Sequence, residues 1–565
     1  MKKLLAVLLS ALMLLGGVSA FADEGSEPAW EEYDALIAQI KASTDFVERE
    51  ALMHQAEDML MGTGAIVPLY YYNDIFMKRD TVEGFYANLY GTKYFMHASN
   101  GDSDTLKMQL ASEPDRLDPA LNSTVDGATL AANTFGGLYT YDENGQTAPN
   151  FATGYTVSDD GLTYTFTMRE GLVWSDGTPL TAKDFEYSWK RAADPETAAD
   201  YAYMFNGIEG YGTEEGLNVT ASEDGTTLTV VLTAPCAYML DLMAFPTFFA
   251  VPQACVESAA GYKDEDGNVL DAGAWATEAG FVSSGAYMLE SWVHNESMVY
   301  VKNPNYWDAE NVKLERLELM LSADDAVVFA AYEAGDLDFI DTVPSDEIKN
   351  LLGVRDDCYL IDNLGTYYIS FNVKSPLFDG LTVEQAANVR TALSLLIDRQ
   401  YLVDTVAQCG QQLANTFIPA GMLDGHGGEF RVNDDTYTFP DAENTGYFGF
   451  DLNANTEKAR ELLESAGYVF DENGMLSAET PLSFEYLTNT GTGHEGIAQC
   501  VQQDLALLGI NMTIRTVEWD VFLNERKDGN YDICRNGWLA DFNDPINMLE
   551  MWTTDSGNND CQFGR

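Results

Sequence analysis

The chain has 565 residues, with 90 Asp and Glu against 30 Lys and Arg, a formal charge of −60. That balance excludes a nucleic-acid partner, because a phosphate backbone is held by neutralising it with Lys and Arg, and docking on anionic lipid fails for the same reason. Disorder is excluded too: 46% hydrophobic and 12% aromatic residues are ample for a packed core, and the length predicts about three or four domains or subdomains.

Met1-Lys2-Lys3 precedes an apolar run from Leu4 to Leu15 and the stretch Gly16-Gly17-Val18-Ser19-Ala20-Phe21-Ala22. A basic start, a short apolar run and small residues before the cut predict a secretory signal peptide over residues 1–22, cleaved after Ala20 or Ala22. The run is shorter than the ~20 apolar residues of a membrane span. The mature protein is therefore expected to be exported, periplasmic or at the cell surface, with no transmembrane anchor. No cysteine precedes Cys236, so a lipid-acceptor cysteine is not expected either.

Residues 27–62 read as helical, with Tyr33, Leu36, Ile37, Ile40, Leu52, Ala56 and Leu60 at three- and four-residue steps and an N-cap at Ser43-Thr44-Asp45. Ala65 to Tyr72 is apolar, turn-bounded and rich in strand formers. From 105 to 240 the pattern predicts short strands punctuated by Asp160-Gly161, Asp176-Gly177 and Asp224-Gly225, with 162–168 alternating at period two. Helices are predicted at 383–397, 456–466 and 494–508, the last stopped by Gly509 and followed by a strand over 510–517. Single helices alternating with single strands over 280–400 and 455–545 predict α/β lobes with open sheets.

Catalytic signatures are missing. There is no phosphate-binding loop and no nucleophile elbow, and His494-Glu495 lacks the second histidine of a zinc protease. The seven cysteines contain no C-x-x-C pair, which gives no support to a structural zinc site or a redox motif. No catalytic residue, cofactor or metal is expected. One cluster stands apart, the segment from Cys534 to Pro545 containing Trp538, Asp541, Asn543 and Asp544. Either Asp541 and Asn543 satisfy backbone N–H groups of a turn with Trp538 in the core, or an aromatic wall stands beside a carboxylate that pairs with a ligand ammonium.

Several ordered stretches carry a specific resemblance. They include Ser112-Glu113-Pro114-Asp115-Arg116-Leu117-Asp118-Pro119, Phe135-Gly136-Gly137-Leu138, Asp159 to Phe166, Trp174-Ser175-Asp176-Gly177-Thr178-Pro179 to Phe185, Ser284-Gly285-Ala286-Tyr287, Asn303-Pro304-Asn305-Tyr306-Trp307, Gly335-Asp336-Leu337-Asp338 and Val389-Arg390-Thr391-Ala392-Leu393 to Arg399. With these the chain resembles the extracytoplasmic solute-binding proteins of oligopeptide and dipeptide ABC importers (family 5, cluster C). The order departs from that family. Its C-terminal helix and Ile-Val-Pro-Leu-Tyr-Tyr-Tyr strand stand here near the start, as Tyr33-Asp34-Ala35-Leu36-Ile37 and Ile66 to Tyr72, which implies a circular permutation cut in a surface loop.

The resemblance implies an α/β, two-lobed periplasmic-binding-protein-like fold (type II, cluster C) that closes over a ligand. Lobe one would comprise 73–145 and 276–362, with an extra domain at 146–275. Lobe two would comprise 363–565 together with 23–72. The ligand would be a short peptide, and the partner a membrane permease of an ABC importer, the receptor itself being a monomer. Asp541 would hold the peptide ammonium. Strand-like backbone around Ser123 and Val125 and around Gly537 and Leu539 would pair with the peptide main chain. Trp519, Trp538, Tyr201 and Tyr72 would line side-chain pockets, and Arg526, Arg535 and His494 would lie near the ligand's carboxyl-terminal half. Alternatives are the same scaffold holding a metal chelate or sugar, an exported peptidase, or a sensing module.

Overall fold

The computed structural model describes residues 27–565 except 111, 112, 115, 323, 345 and 491, and without the side chains of 492, 519 and 520. The signal-peptide reading of residues 1–22 lies outside the described residues.

The spine is a ten-stranded mixed sheet. Its strands are β1 (Ile66–Lys78), β2 (Thr105–Gln109), β3 (Tyr287–Val293), β4 (Ser297–Lys302), β5 (Arg316–Met320), β6 (Phe339–Ile340), β7 (Cys358–Phe371), β8 (Ser483–Asn489), β9 (Asn511–Val517) and β10 (Ile533–Leu539). They lie in the order β3-β4-β5-β2-β6-β1-β7-β10-β8-β9. β1 and β7 are the long members, 13 and 14 residues, and they pair antiparallel. The start of β1 pairs with 366–370, where β10 flanks β7, and its end pairs with 358–362 and β6. Two strands thus run from one half of the sheet into the other, and register shifts at Pro68/Tyr70 and Tyr71/Asn73 bend them midway. Pro68 has no N–H for a regular ladder, which fits an irregularity there.

β8 pairs parallel with both β9 and β10. Parallel neighbours need crossovers, supplied by the helices Thr492–Ala506 and Trp519–Lys527. This is the α/β alternation read over 455–545.

A separate four-stranded antiparallel sheet is built from Ala152–Val157, Thr163–Met168, Val219–Ala221 and Thr227–Val231. The Asp-Gly turns sit where expected: Gly161, Gly177 and Gly225 all have positive φ. The strand-only reading of 105–240 needs two corrections. Ala182–Ala192 is a helix with a Thr181/Asp184 capping box and with Phe185 and Trp189 buried. Val125–Thr134 is also a helix, because the Thr124 side chain accepts from Gly127 N. The cap Thr124 is extended and the helix begins directly after it, so Val125 is a first-turn helical residue and not part of a strand.

Residues 27–62 form two helices, Glu31–Ala42 and Phe46–Gly62, with Asp45 accepting from Val47 and Glu48 N at the second start. Both dock on the C-terminal stretch. Trp30 stacks on Phe563 with centroids 3.9 Å apart and donates to Trp552 O at 2.7 Å. Tyr33 donates to Leu549 O at 2.8 Å, and Asp34 accepts from Thr554 N at 2.9 Å. Arg49 forms a buried two-pronged pair with Asp544, both contacts 2.7 Å. Residues 30–62 and the C-terminal stretch are one packed unit. All seven cysteines are free thiols.

Candidate functional site

At the end of β10, Gly537, Trp538 and Leu539 pair with Tyr367, Thr366 and Gly365 of β7. The chain then turns through Ala540 to Asp544, where Asp544 accepts from Ile546 N at 3.0 Å and starts the short helix Ile546–Leu549. That turn brings Asn547 back over the strand end. Asn547 Oδ1 accepts from Trp538 Nε1 at 3.0 Å and from Asp541 N at 3.1 Å, while its Nδ2 donates to Asp541 Oδ2 at 3.0 Å. Tyr203, from a distant segment, donates its hydroxyl to the same Oδ2 at 2.7 Å.

Asp541 is 7% exposed. Burial pushes its carboxyl up to about 6, against hydrogen bonds from Asn547, Tyr203 and Tyr201. These are all neutral donors, and the charged group acting on it most is another acid, Glu550. The carboxylate is thus held by donors that orient it and is left without a counter-charge from them, an arrangement suited to a cationic ligand.

The space in front of Asp541 is walled by both halves of the molecule. One cavity is lined by Ser123, Val125, Tyr201, Phe245, Leu539 and Asp541. It adjoins a second of about 610 Å³, lined by Ser123, Tyr201, Tyr203, Trp538 and Asn547 among others, within the range of small-molecule sites. Tyr238 stacks on Phe542 with centroids 4.0 Å apart, a further contact across the same boundary.

Tyr72 lies further along the sheet, edge-on to Tyr70 at 6.0 Å and Tyr367 at 6.1 Å. Its hydroxyl covers Gly537 so closely that a Cβ there would sit 2.2 Å from Tyr72 Oη. Gly537→Ala is therefore expected to destabilise the protein by about 1–3 kcal/mol, the usual cost of overpacking. Adding Tyr72→Phe removes the clashing atom. Denaturant midpoints should show the double variant recovering most of the loss; no recovery would mean that Gly537 is required for another reason.

The three basic positions differ in what they offer. Arg526 is committed within the protein, its Nε 3.0 Å from Asp560 Oδ2 and its Nη1 2.9 Å from Asn536 Oδ1. His494 stacks beside Tyr367 and meets its hydroxyl at 3.1 Å. Burial, with Arg535 second, lowers His494 to about 4, so it is neutral at pH 7. Arg535 donates to Asn489 Oδ1 at 2.7 Å and lies over the Phe522 ring at 5.1 Å. Trp519 opens the helix Trp519–Lys527, and its side chain is outside the described atoms.

The structure thus gathers Ser123, Val125, Tyr201, Leu539 and Asp541 on one cavity with Trp538 on its neighbour. Gly537 and Arg535 continue along β10, with Tyr72 of β1 over Gly537 and His494 of the helix Thr492–Ala506 beside Tyr367 of β7. Sequence reasoning missed Tyr203 and Asn547, since neither belongs to a local motif with Asp541.

Residues 146–560 match the bacterial extracellular solute-binding proteins, family 5 Middle. The chain belongs to this family. The oligopeptide-binding protein OppA of Bacillus subtilis is 31% identical over 474 residues, 80% of this chain and 78% of that protein. Among solved structures, Haemophilus influenzae OppA in complex with the peptide RPPGFSPFR superposes with a TM-score of 0.64 at 27% identity, covering 82% of this chain and 85% of that one. The Escherichia coli murein tripeptide binding protein MppA gives 0.65 at 29% identity, with 82% and 84% covered. With the large mixed sheet, these likenesses bear out the family reading and the two-lobed type II periplasmic-binding-protein fold.

Proposed function

We propose that this family 5 solute-binding protein captures short peptides between its lobes and delivers them to the membrane permease of an ABC importer, without chemistry of its own. The observation that carries this reading is Asp541, a buried carboxylate held by three neutral donors in a cavity walled from both sides. A peptide ammonium is the group such a site accepts. β10 supports a main-chain role: only Ile533 and Cys534 pair with β8, while its register with β7 continues to Leu539. The second edge of 537–539 has no strand partner among the described residues, so an extended peptide can add there. Relatives named for oligopeptide and murein tripeptide binding favour a peptide over a metal chelate or sugar, and a binder over a peptidase.

In this reading lobe one is 73–145 and 276–362, with the extra domain 146–275 contributing Tyr201 and Tyr203. Lobe two is 363–565 with 23–72. The docking of Trp30 and Tyr33 on the C-terminal stretch supports a permuted order, in which the segment 27–72 would follow that stretch in the family's own chain.

Protein purified without denaturation and analysed by mass spectrometry should release a mixture of short peptides. A single metal chelate or sugar would overturn the assignment.

The pH dependence follows from Asp541. Its free value of about 6 falls when an ammonium neutralises it, so the ionised form binds. Affinity for a peptide with a free amino terminus should be highest near pH 7, drop about tenfold by pH 5, one unit below that value, and fall again above about pH 8 as the peptide ammonium itself loses its proton. Fluorescence titrations across that range check it; a flat profile would contradict the role of Asp541.

A further inference from the structure

Outside the cleft, Glu50, Asp424 and His426 place one donor atom each within 4.8 Å of one another. They come from the helix Phe46–Gly62 and from a loop more than 370 residues later, so no sequence spacing announces them. His426 Nε2 lies 2.9 Å from Glu50 Oε2 and 3.6 Å from Asp424 Oδ2. Donors 2.0–2.2 Å from a tetrahedral ion stand about 3.3–3.6 Å apart, so small shifts suffice to admit one. We propose that these three residues bind one divalent transition-metal ion, with zinc its representative.

Three features mark a prepared site. First, both carboxylates are buried, Glu50 3% and Asp424 5% exposed, and a single imidazole is their shared partner. Two buried negative charges facing one nitrogen are better matched by a divalent cation than by one proton. Second, Asp424 is oriented. Its Oδ1 accepts from His426, Gly427 and Gly428 N at 2.7, 2.9 and 3.0 Å, which leaves Oδ2 turned toward His426. Such outer hydrogen bonds fix ligands in metal centres. Third, His54 stands behind Glu50, its Nε2 3.8 Å from Glu50 Oε1. It is clamped between the rings of Phe430 and Tyr437, each 3.9 Å away, with its Nδ1 buried and unpartnered. The His426 side chain is 32% exposed, so the site opens on one side for ion entry and a water ligand. One neutral imidazole with two carboxylates is a nitrogen–oxygen donor set suited to zinc and its neighbours in the first transition row.

The same loop reaches the peptide site. Leu423 N donates to Asn543 Oδ1 at 2.9 Å, and Asn543 Nδ2 donates to Gly421 O at 3.3 Å. A bound ion would join the helix Phe46–Gly62 to the loop that backs the Asp541 turn.

The test is calorimetric titration of zinc into untagged, chelator-stripped protein, with bound metal counted by mass spectrometry. One equivalent is expected, with a rise in the unfolding temperature. His426→Ala and Glu50→Gln should each weaken zinc binding at least about tenfold. Peptide binding by the same samples shows that the variants are folded. Failure of the stripped wild type to take up zinc overturns the proposal. So does one equivalent bound equally well by both variants, which would place the ion elsewhere.

Discussion

Asp541→Asn is expected to weaken binding of a peptide with a free amino terminus by about two orders of magnitude, within the ~2–5 kcal/mol lost when one partner of a buried charge pair is removed. The loss is large because Asp541 is the one carboxylate among the described residues lining its cavity, while Asp200, Glu550 and Asp555 line the neighbouring one. Asn547 and Tyr203 donate to the carboxylate and carry no negative charge to hold an ammonium in its stead. The ligand-free protein should respond in the opposite direction. Asp541 titrates near 6 when folded and near 3.9 when unfolded, so the folded state holds the proton more tightly. Its favourable contribution is full below about pH 4 and is lost as pH rises through about 6. At neutral pH the ionised group is therefore a cost, and the Asn variant should unfold at the same or a higher denaturant concentration. Calorimetry and urea unfolding together check both halves. Wild-type affinity in the variant would remove the ammonium assignment, and a destabilised variant would explain lost binding by misfolding.

Arg49→Leu is expected to cost about 3–5 kcal/mol of stability, the penalty for stranding a buried carboxylate. Arg49 and Asp544 side chains are 5% and 1% exposed, so water cannot replace the lost partner. The pair ties the helix Phe46–Gly62 to the turn between Asp541 and the helix Ile546–Leu549. Losing it should loosen that turn and weaken peptide binding as well. Because the harm lies in the unpaired charge, adding Asp544→Asn should restore more than half of the lost stability while keeping the acceptor for Ile546 N. Denaturant midpoints of the two singles and the double measure this directly. A double variant no better than Arg49→Leu would mean that the guanidinium acts by packing and not by charge.

Local pattern carried much of the architecture. The strands at Thr163–Met168 and Asn511–Val517 and the helix starting at Asp45 follow from alternation, spacing and a capping side chain. The helix Ala182–Ala192 carries a local signal too, since Thr181 and Asp184 stand at capping-box spacing inside a region otherwise patterned as strands. At Val125 the cue was a single Thr, and its bond to Gly127 N turned an expected strand into a helix. The site divides along the same line. Trp538 and Asp541 share a segment, so their association was visible. Tyr203 is 338 residues from Asp541 and reaches it only through the tertiary fold. Asn547 is near in sequence, but its role depends on a turn that folds it back onto two earlier residues. His494 is a basic residue type, but its burial, with Arg535 second, lowers it to about 4 and removes the remaining cationic fraction at pH 7.

Recognition of a peptide's amino terminus by a buried carboxylate is the central proposal. Its most direct test is a pair of calorimetric titrations at pH 7.5 on the unmodified protein, with one tripeptide and with its N-acetylated form. Acetylation removes the ammonium and leaves the backbone and side chains, so the free peptide should bind at least about tenfold more tightly, one charge-assisted contact being worth 1.5–3 kcal/mol. Equal affinity for the two forms would mean that Asp541 does not hold the ammonium.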